Sequence, residues 1–358
     1  MKKITTLAAL AILLTACTKD KTKTVTKIDP VTGDTIKVEV PVGDSAVVGT
    51  SQDTASPQQV YAFTENNGVY TQQFRLQKGE TYPLVTFQRN IQTMTGPDGK
   101  SVSATSQSTD DMTFTVNDFK DGVYDLSVNL IGKTNSQTAN GKTVSIDTKA
   151  AAPSDANLKI MWTINKALTG NKLQMKMKEN GEVVSISGFD AIYNKISSAA
   201  SAQIKDATEK AEFMKAFKQS FNEKILKEQF GKNLIILPKE GAKIGQKWTE
   251  TENATPDGSV KLTTTYTLKS IENGVVTLTV SGGIPKKTDK RNQEGLSHSL
   301  SSELAQNGTI KFDQKTGWII NQNVSVKTTQ TETISDGKQT QSMKSSTNST
   351  VIVNPKNS

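Results

Sequence analysis

The chain of 358 residues carries a single histidine and a single cysteine, so chemistry that needs a pair of either has nothing to build on. His298 stands in the polar stretch Leu296-Ser297-His298-Ser299 and reads as part of an exposed loop. Asp110-Asp111 precede an alternating run and could approach a cation. Two carboxylates without a third ligand or a calcium-loop spacing are, however, ordinary loop solvation. Gly282-Gly283, followed by Ile284-Pro285, lacks phosphate-loop spacing and reads as a strand end. A hydrolase built on two distant carboxylates stays open, because their separation is a tertiary fact. The expectation is therefore no catalytic residue, no metal ligand set and no cofactor.

Cys17 closes the run Leu14-Thr15-Ala16-Cys17, after Lys2 and Lys3 and an apolar stretch from Ile4 to Leu14. That stretch is too short to span a bilayer as a helix and has the layout of an export signal. Small residues directly before a lone cysteine resemble the lipobox of bacterial lipoproteins. The resemblance implies cleavage before Cys17, acylation of its sulfur and new amino group, and attachment to a membrane without a transmembrane helix. Two or three acyl chains, at about 0.8 kcal/mol per buried methylene, hold a protein firmly. The thiol is then unavailable as a nucleophile or ligand, and with no second cysteine there is no intramolecular disulfide.

Residues 18–57 are rich in Thr, Asp, Lys, Ser and Val and punctuated by Pro30, Gly33, Pro41, Gly43, Gly49 and Pro57. This composition reads as a tether, with room for a short strand pair around Asp34 and Val38-Glu39-Val40. At roughly 5–6 Å × √n its mean span is about 35 Å. Asp34-Thr35-Ile36, Asp44-Ser45-Ala46 and Asp53-Thr54-Ala55 resemble the Asp-Ser/Thr-apolar acceptor of protein O-glycosylation in some Gram-negative envelopes. The resemblance implies Thr35, Ser45 and Thr54 as glycan carriers.

The elements that follow are mostly strands. Met112 to Val116, then Phe119 to Val128, returns as Tyr266 to Leu268, then Ile271 to Val280, at one constant offset. Phe114 and Val116 alternate with threonines, as do Tyr266 and Leu268. Tyr124, Leu126 and Val128 alternate with polar or small residues, as do Val276, Leu278 and Val280. Period two means strands with one buried face. Asp121-Gly122 and Asn273-Gly274 lie between the runs, and such dipeptides favour the positive φ of a tight hairpin. Gly79-Glu80-Thr81-Tyr82 matches Gly245-Gln246-Lys247-Trp248, Pro97-Asp98-Gly99 matches Pro256-Asp257-Gly258, and Leu173 to Met177 before Asn180-Gly181 matches Thr309 to Phe312 before Thr316-Gly317-Trp318. About five strands thus recur in the same order, which predicts two related β lobes.

Between the lobes the period changes. Phe213, Phe217, Phe221 and Ile225 recur every fourth residue, opposed by Lys210, Lys215, Lys218, Glu223 and Lys227, which predicts a helix or helix pair with one apolar stripe. The stripe either packs on a sheet or lines a lipid or peptide groove, which makes Phe213, Phe217 and Phe221 the candidate ligand-lining residues. Gly231 is expected to stop the helix, and Leu234 to Leu237 before Pro238 to lead into the second lobe as a strand.

The expected fold is β-rich α+β: two related lobes of curved, half-barrel-like antiparallel sheet with a helical segment between them. The divisions fall at 1–16 (signal), 17–57 (anchor and tether), 58–188 (first lobe), 189–231 (helical segment) and 232–354 (second lobe). In outline the body resembles uncharacterised two-lobed β-rich lipoproteins of Gram-negative envelopes with Gly-x-x-Trp strand starts and Asn-Gly hairpins. More loosely it resembles the half-barrel lipoprotein carriers. Trp248 and Trp318, with Tyr82 in the first copy, are expected as core plugs and Trp162 is read alongside them.

The net charge of +8, or about +6 once Lys2 and Lys3 leave, is spread among charges of both signs. Such a surface suits anionic headgroups or glycans and lacks the clustered arginines and stacked aromatics of a nucleic-acid groove. Lys286-Lys287 with Lys290-Arg291 reads as a solvated loop. Two functions follow: a non-enzymatic envelope lipoprotein binding an apolar or amphipathic ligand, or a partner protein, through curved sheets; or a structural or adhesive surface component without a ligand cavity. The carboxylate hydrolase stands behind both. The expected location is the outer membrane, lipid-anchored, on its periplasmic face, with a lipid, glycan or envelope protein as partner and no nucleic acid.

Overall fold

In the computed structural model the described residues are 61–255, 258–293 and 296–355, together with the backbone of 24–28 and 35–39. In chain order the strands are β1 (Thr24–Ile28), β2 (Thr35–Glu39), β3 (Phe63–Asn66), β4 (Val69–Gln72), β5 (Thr81–Thr95), β6 (Ser101–Lys120), β7 (Val123–Ala139) and β8 (Lys142–Asp147). Helix α1 (Ala156–Leu168) precedes β9 (Lys172–Lys178) and β10 (Val183–Ser187). Three helices follow: α2 (Phe189–Gln203), α3 (Ala207–Ser220) and α4 (Glu223–Leu234). The chain ends in β11 (Lys247–Asn253), β12 (Lys261–Glu272), β13 (Val275–Gln293), β14 (Leu296–Asp313), β15 (Ile319–Ser335) and β16 (Thr340–Val353).

The repeat is reproduced down to its irregularities. The hairpins turn at Asp121-Gly122 and Asn273-Gly274, all four residues at positive φ, as a two-residue turn matching strand twist requires. Phe114 faces Val128 and Val116 faces Leu126; in the second copy Tyr266 faces Val280 and Leu268 faces Leu278. A β-bulge follows at the same place in both, between Val116 and Asp118 and between Leu268 and Ser270. The flanking loops match as well: Gly79 N–H donates to Val116 O at 2.8 Å and Gly245 N–H to Leu268 O at 2.7 Å, while Glu179 N–H donates to Gly122 O and Gln314 N–H to Gly274 O.

These two meanders, β5-β6-β7-β9-β10 and β11-β12-β13-β14-β15, lie in tandem in one antiparallel sheet. β16 joins them by pairing with β15 on one side and β5 on the other. The order across the sheet is β10, β9, β7, β6, β5, β16, β15, β14, β13, β12, β11, β1, β2, with β8 paired to β7. The two lobes are therefore one continuous curved sheet. They share one core as well, which runs from Phe114, Tyr124 and Met175 in the first copy to Leu278, Phe312 and Trp318 in the second.

The segment with the β3–β4 hairpin stitches the copies together at equivalent turns. Phe74 N–H donates to Glu179 O in one turn and Arg75 N–H to Thr316 O at 3.0 Å in the other. Tyr124, buried in the core, accepts from Leu76 N–H at 3.1 Å and donates to Phe74 O at 3.0 Å, which satisfies its hydroxyl.

Four departures from the sequence-based expectation have physical causes. Helix α4 continues through Gly231 to Leu234, and Leu234 to Leu237 form no strand. The Gln72 side chain takes the place of a ladder there, donating to Leu234 O at 3.0 Å and accepting from Ile236 N–H at 3.3 Å. Lys286 to Arg291 lie within β13 and His298 within β14, where Arg291 pairs with His298. These positions border an otherwise unpaired strand end, where charge is tolerated and blunts the edge. Gly282 and Gly283 sit in the middle of β13, where a Cβ on Gly283 would lie 1.9 Å from Leu304 O, so bare backbone is what lets the strands close up. Helix α1 lies inside the expected β lobe, capped by Asp155, whose carboxylate accepts from Leu158 N–H at 2.9 Å.

Candidate functional site

Buried apolar residues gather at one end of the long strands. On the core-facing side Leu84, Phe114, Leu126, Leu278, Ile310 and Val353 are buried, and the helices lie over β7, β8 and β10. The same strands run on for many residues beyond this packed end as Ser-, Thr-, Gln- and Asn-rich segments. Following the pairing registers on the core-facing side gives rows such as Asn90, Ser349, Val326 and Gln306. Gln306 Nε2 donates to Thr264 Oγ1 at 2.6 Å, reaching across the bare Gly282 between them. This side of the sheet is thus a broad polar surface with apolar residues at intervals, continuous with the core.

At the far end of the same side the polar rows give way to exposed apolar residues: Val102 on β6, Met94 on β5, Met343 on β16, Ile334 on β15, and Leu300 and Leu296 on β14. Val102 pairs directly with Met94. Met343 and Leu300 both pair with Glu332, and Ile334 pairs with His298 between the two leucines. Cross-strand and diagonal neighbours of this kind touch or nearly touch, so the six residues form one row. Single exposed apolar residues need no explanation, but a contiguous row does.

The candidate ligand-lining residues lie elsewhere. Phe213, Phe217 and Phe221 are half-buried and stack on one another, with centroids 6.3 and 5.6 Å apart. Phe189 and Tyr193 of α2 complete the cluster, and Tyr193 Oη donates to Phe221 O at 2.8 Å. Next to them on α3 is an open depression of about 530 Å³ bordered by Met214, Lys215 and Lys218, with none of the three phenylalanines in its lining. A second open depression, of about 480 Å³, lies where the copies meet and is bordered by Glu80, Tyr82, Asp313, Lys315, Trp318 and Asn354. Trp318 and Trp248 are buried as plugs, and Trp318 Nε1 donates to Pro83 O at 2.7 Å. Trp162 is half-buried and donates to Asp147 O.

The acid pair singled out from the sequence is engaged in ion pairs, Asp110 with Lys133 and Asp111 with Lys149 at 2.6 Å. It lies inside β6 rather than before a strand. Among the described residues no group of three or more His, Cys, Asp or Glu side chains is placed to hold a metal ion. Burial pushes the hydroxyls of Tyr82, Tyr124, Tyr193 and Tyr266 above the usual tyrosine range, Tyr266 furthest. Among the described residues no helix is long and apolar enough to cross a membrane. Cys17, Ser45 and Thr54 lie outside the described residues, while Thr35 opens β2, the outer strand of a hairpin whose partner β1 pairs with β11.

The exposed row was missed from the sequence because its members are isolated within polar strands; only the pairing registers bring them together. No curated protein sequence matches the chain. Among solved structures it is similar to lipovitellin, described for its lipid–protein interactions (10% identity, TM-score 0.32, 78% of this chain and 25% of that one). It is also similar to OccD3 (OpdP) of Pseudomonas aeruginosa (9% identity, TM-score 0.16, 75% and 62%) and to an outer membrane channel of Pseudomonas putida F1 (7% identity, TM-score 0.18, 78% and 97%). The chain spans about a quarter of the lipovitellin chain. A family profile described as a family of unknown function matches residues 121–319. That match runs from the Asp121-Gly122 turn between β6 and β7 through β14 to the start of β15 and covers more than half of the chain, which therefore belongs to the family of unknown function DUF6263.

Proposed function

We propose that the chain is a non-enzymatic lipoprotein, held in the outer membrane on its periplasmic face through acylated Cys17, whose extended sheet binds an amphipathic molecule on its core-facing side. One observation carries the binding role: the core-facing side continues far beyond the packed end as polar rows with apolar residues at intervals. Hydroxyl and amide side chains can hydrogen-bond a headgroup there while the interspersed Val324, Val326 and Leu304 meet an apolar chain. The test is to extract the purified chain with organic solvent and identify what it carried. Replacing Val326 and Thr328 with lysine should empty it with little effect on stability, whereas an unchanged extract would sink the reading.

A second reading, a structural component without a ligand cavity, is favoured by the packed end, where the chain's own side chains fill the space between sheet and helices. The anchor and the glycan positions Thr35, Ser45 and Thr54 are read together from the intact mass of the native chain. Diacylglycerol and fatty-acyl increments at Cys17 support the anchor, and hexose-sized increments on the 18–57 peptide support glycosylation.

A further inference from the structure

The exposed apolar row has a defined relation to the start of the chain. β1 is antiparallel to β11, and Thr26 lies opposite Thr249, which leads across the sheet to Thr265 and Ser281. β11 runs from the packed end outward, so β1 runs inward, and its first residue, Thr24, is the end nearest the row. Met343 and Leu300 stand at the level of Asp289, because both face Glu332 and Leu300 pairs with Asp289. Thr24 stands two positions beyond Ser281. The gap is six positions of β13, one of them absorbed by the bulge after Ile284, or about 17 Å at ~3.3 Å per residue. The seven residues from Cys17 to Thr24 reach at most about 24 Å. An acyl group on Cys17 can therefore come level with the row.

The surroundings of the row suit a headgroup region. Lys100 and Lys338 lie in the turns that join β5 to β6 and β15 to β16. Both are exposed, with Asp98 3.6 Å from the Lys100 ammonium and Glu332 between Met343 and Leu300 within the row. Such lysines lay their methylenes along apolar surface while the ammonium reaches outward to phosphate.

We propose that this end of the sheet rests on a phospholipid bilayer, with Met94, Val102, Leu296, Leu300, Ile334 and Met343 dipping into the interface at the level the acyl anchor can reach, so that the open core-facing side is presented at the membrane surface. The inference deepens the proposed function and rests on it for the anchor alone. The seating of the row on lipid is a separate contact that needs no acylation.

The test uses the chain from Thr18 onward, which keeps every described residue and cannot be acylated at position 17. It is floated with vesicles of phosphatidylethanolamine and phosphatidylglycerol. The expected result is co-flotation, with the bound fraction falling at least about tenfold in the triple variant Leu300→Glu, Ile334→Glu, Met343→Glu. The corresponding triple serine variant guards against misfolding and should lose binding with an unchanged melting temperature. Equal flotation of variant and parent, or no flotation of the parent, would overturn the proposal. So would self-association of the parent that the same substitutions abolish, since the row would then belong to a second copy. Failure of the anchor reading shows separately, as an unacylated Cys17 in the native protein.

Discussion

At the scale of single residues, the bare backbone in the second copy is the most constrained feature. A Cβ on Gly283 would meet Leu304 O at 1.9 Å and one on Gly308 would meet Asn323 O at 2.3 Å. Neither carbonyl can retreat without breaking a ladder. Gly283→Ala should cost about 1–3 kcal/mol, visible as a lowered thermal midpoint, whereas Gly68→Ala, with open space around it, should cost less despite its positive φ. Tyrosines make a second prediction. The hydroxyls of Tyr82, Tyr124, Tyr193 and Tyr266 are raised by burial above their unfolded value near 10. The folded state therefore holds protons that the unfolded state gives up. Stability from these groups is complete below pH ~10 and is lost as the pH rises from there through the raised folded values. Tyrosinate absorbance of the native chain should lag behind that of the denatured chain above pH ~10 and catch up when the fold collapses; identical titrations would contradict the burial.

Among elements, the helices are held by an aromatic cluster. Phe217 stacks between Phe213 and Phe221 and meets Tyr193 edge-on, and all three phenylalanines pack against the core. Phe217→Ala should therefore lower stability by about 2–4 kcal/mol in denaturant unfolding. An unchanged midpoint would contradict that packing role. The hairpins were legible in the sequence because their turns and alternation are local: Asp121-Gly122 and Asn273-Gly274 announce both turn and register. Less was legible where long-range contacts decide. Leu234 to Leu237 have the composition of a strand, but Gln72, far off in the chain, takes up their backbone groups. Lys286 to Arg291 look like a loop because nothing apolar marks a strand that is paired along one edge and polar on both faces. Asp155 before Leu158 and Trp162 was the available signal for α1.

On the scale of the whole molecule, duplication explains both the regularity and the size of the sheet. Two equivalent meanders, each with the same bulge, lie in tandem because β16 pairs with β5 across more than two hundred residues of sequence. No local pattern could have shown that joining, and without it the chain would read as two separate lobes. The joining is also what creates the exposed row, since Met94 and Val102 come from the first copy and the other members from the second copy and β16. Cutting the contact with paired Thr350→Pro and Asn90→Pro substitutions should separate the copies, and a single cooperative unfolding transition should give way to two. A single transition in that variant would mean that the shared core alone unites them.

The open core-facing side is the proposed binding surface. Native mass spectrometry of the full mature chain, purified gently from the envelopes of producing cells, tests this most directly. The expected result is a stoichiometric non-covalent adduct of lipid or amphiphile mass that dissociates on activation and is absent from the Val326→Lys, Thr328→Lys variant. A bare protein mass in both would contradict it and leave the sheet as a structural element filled by its own side chains.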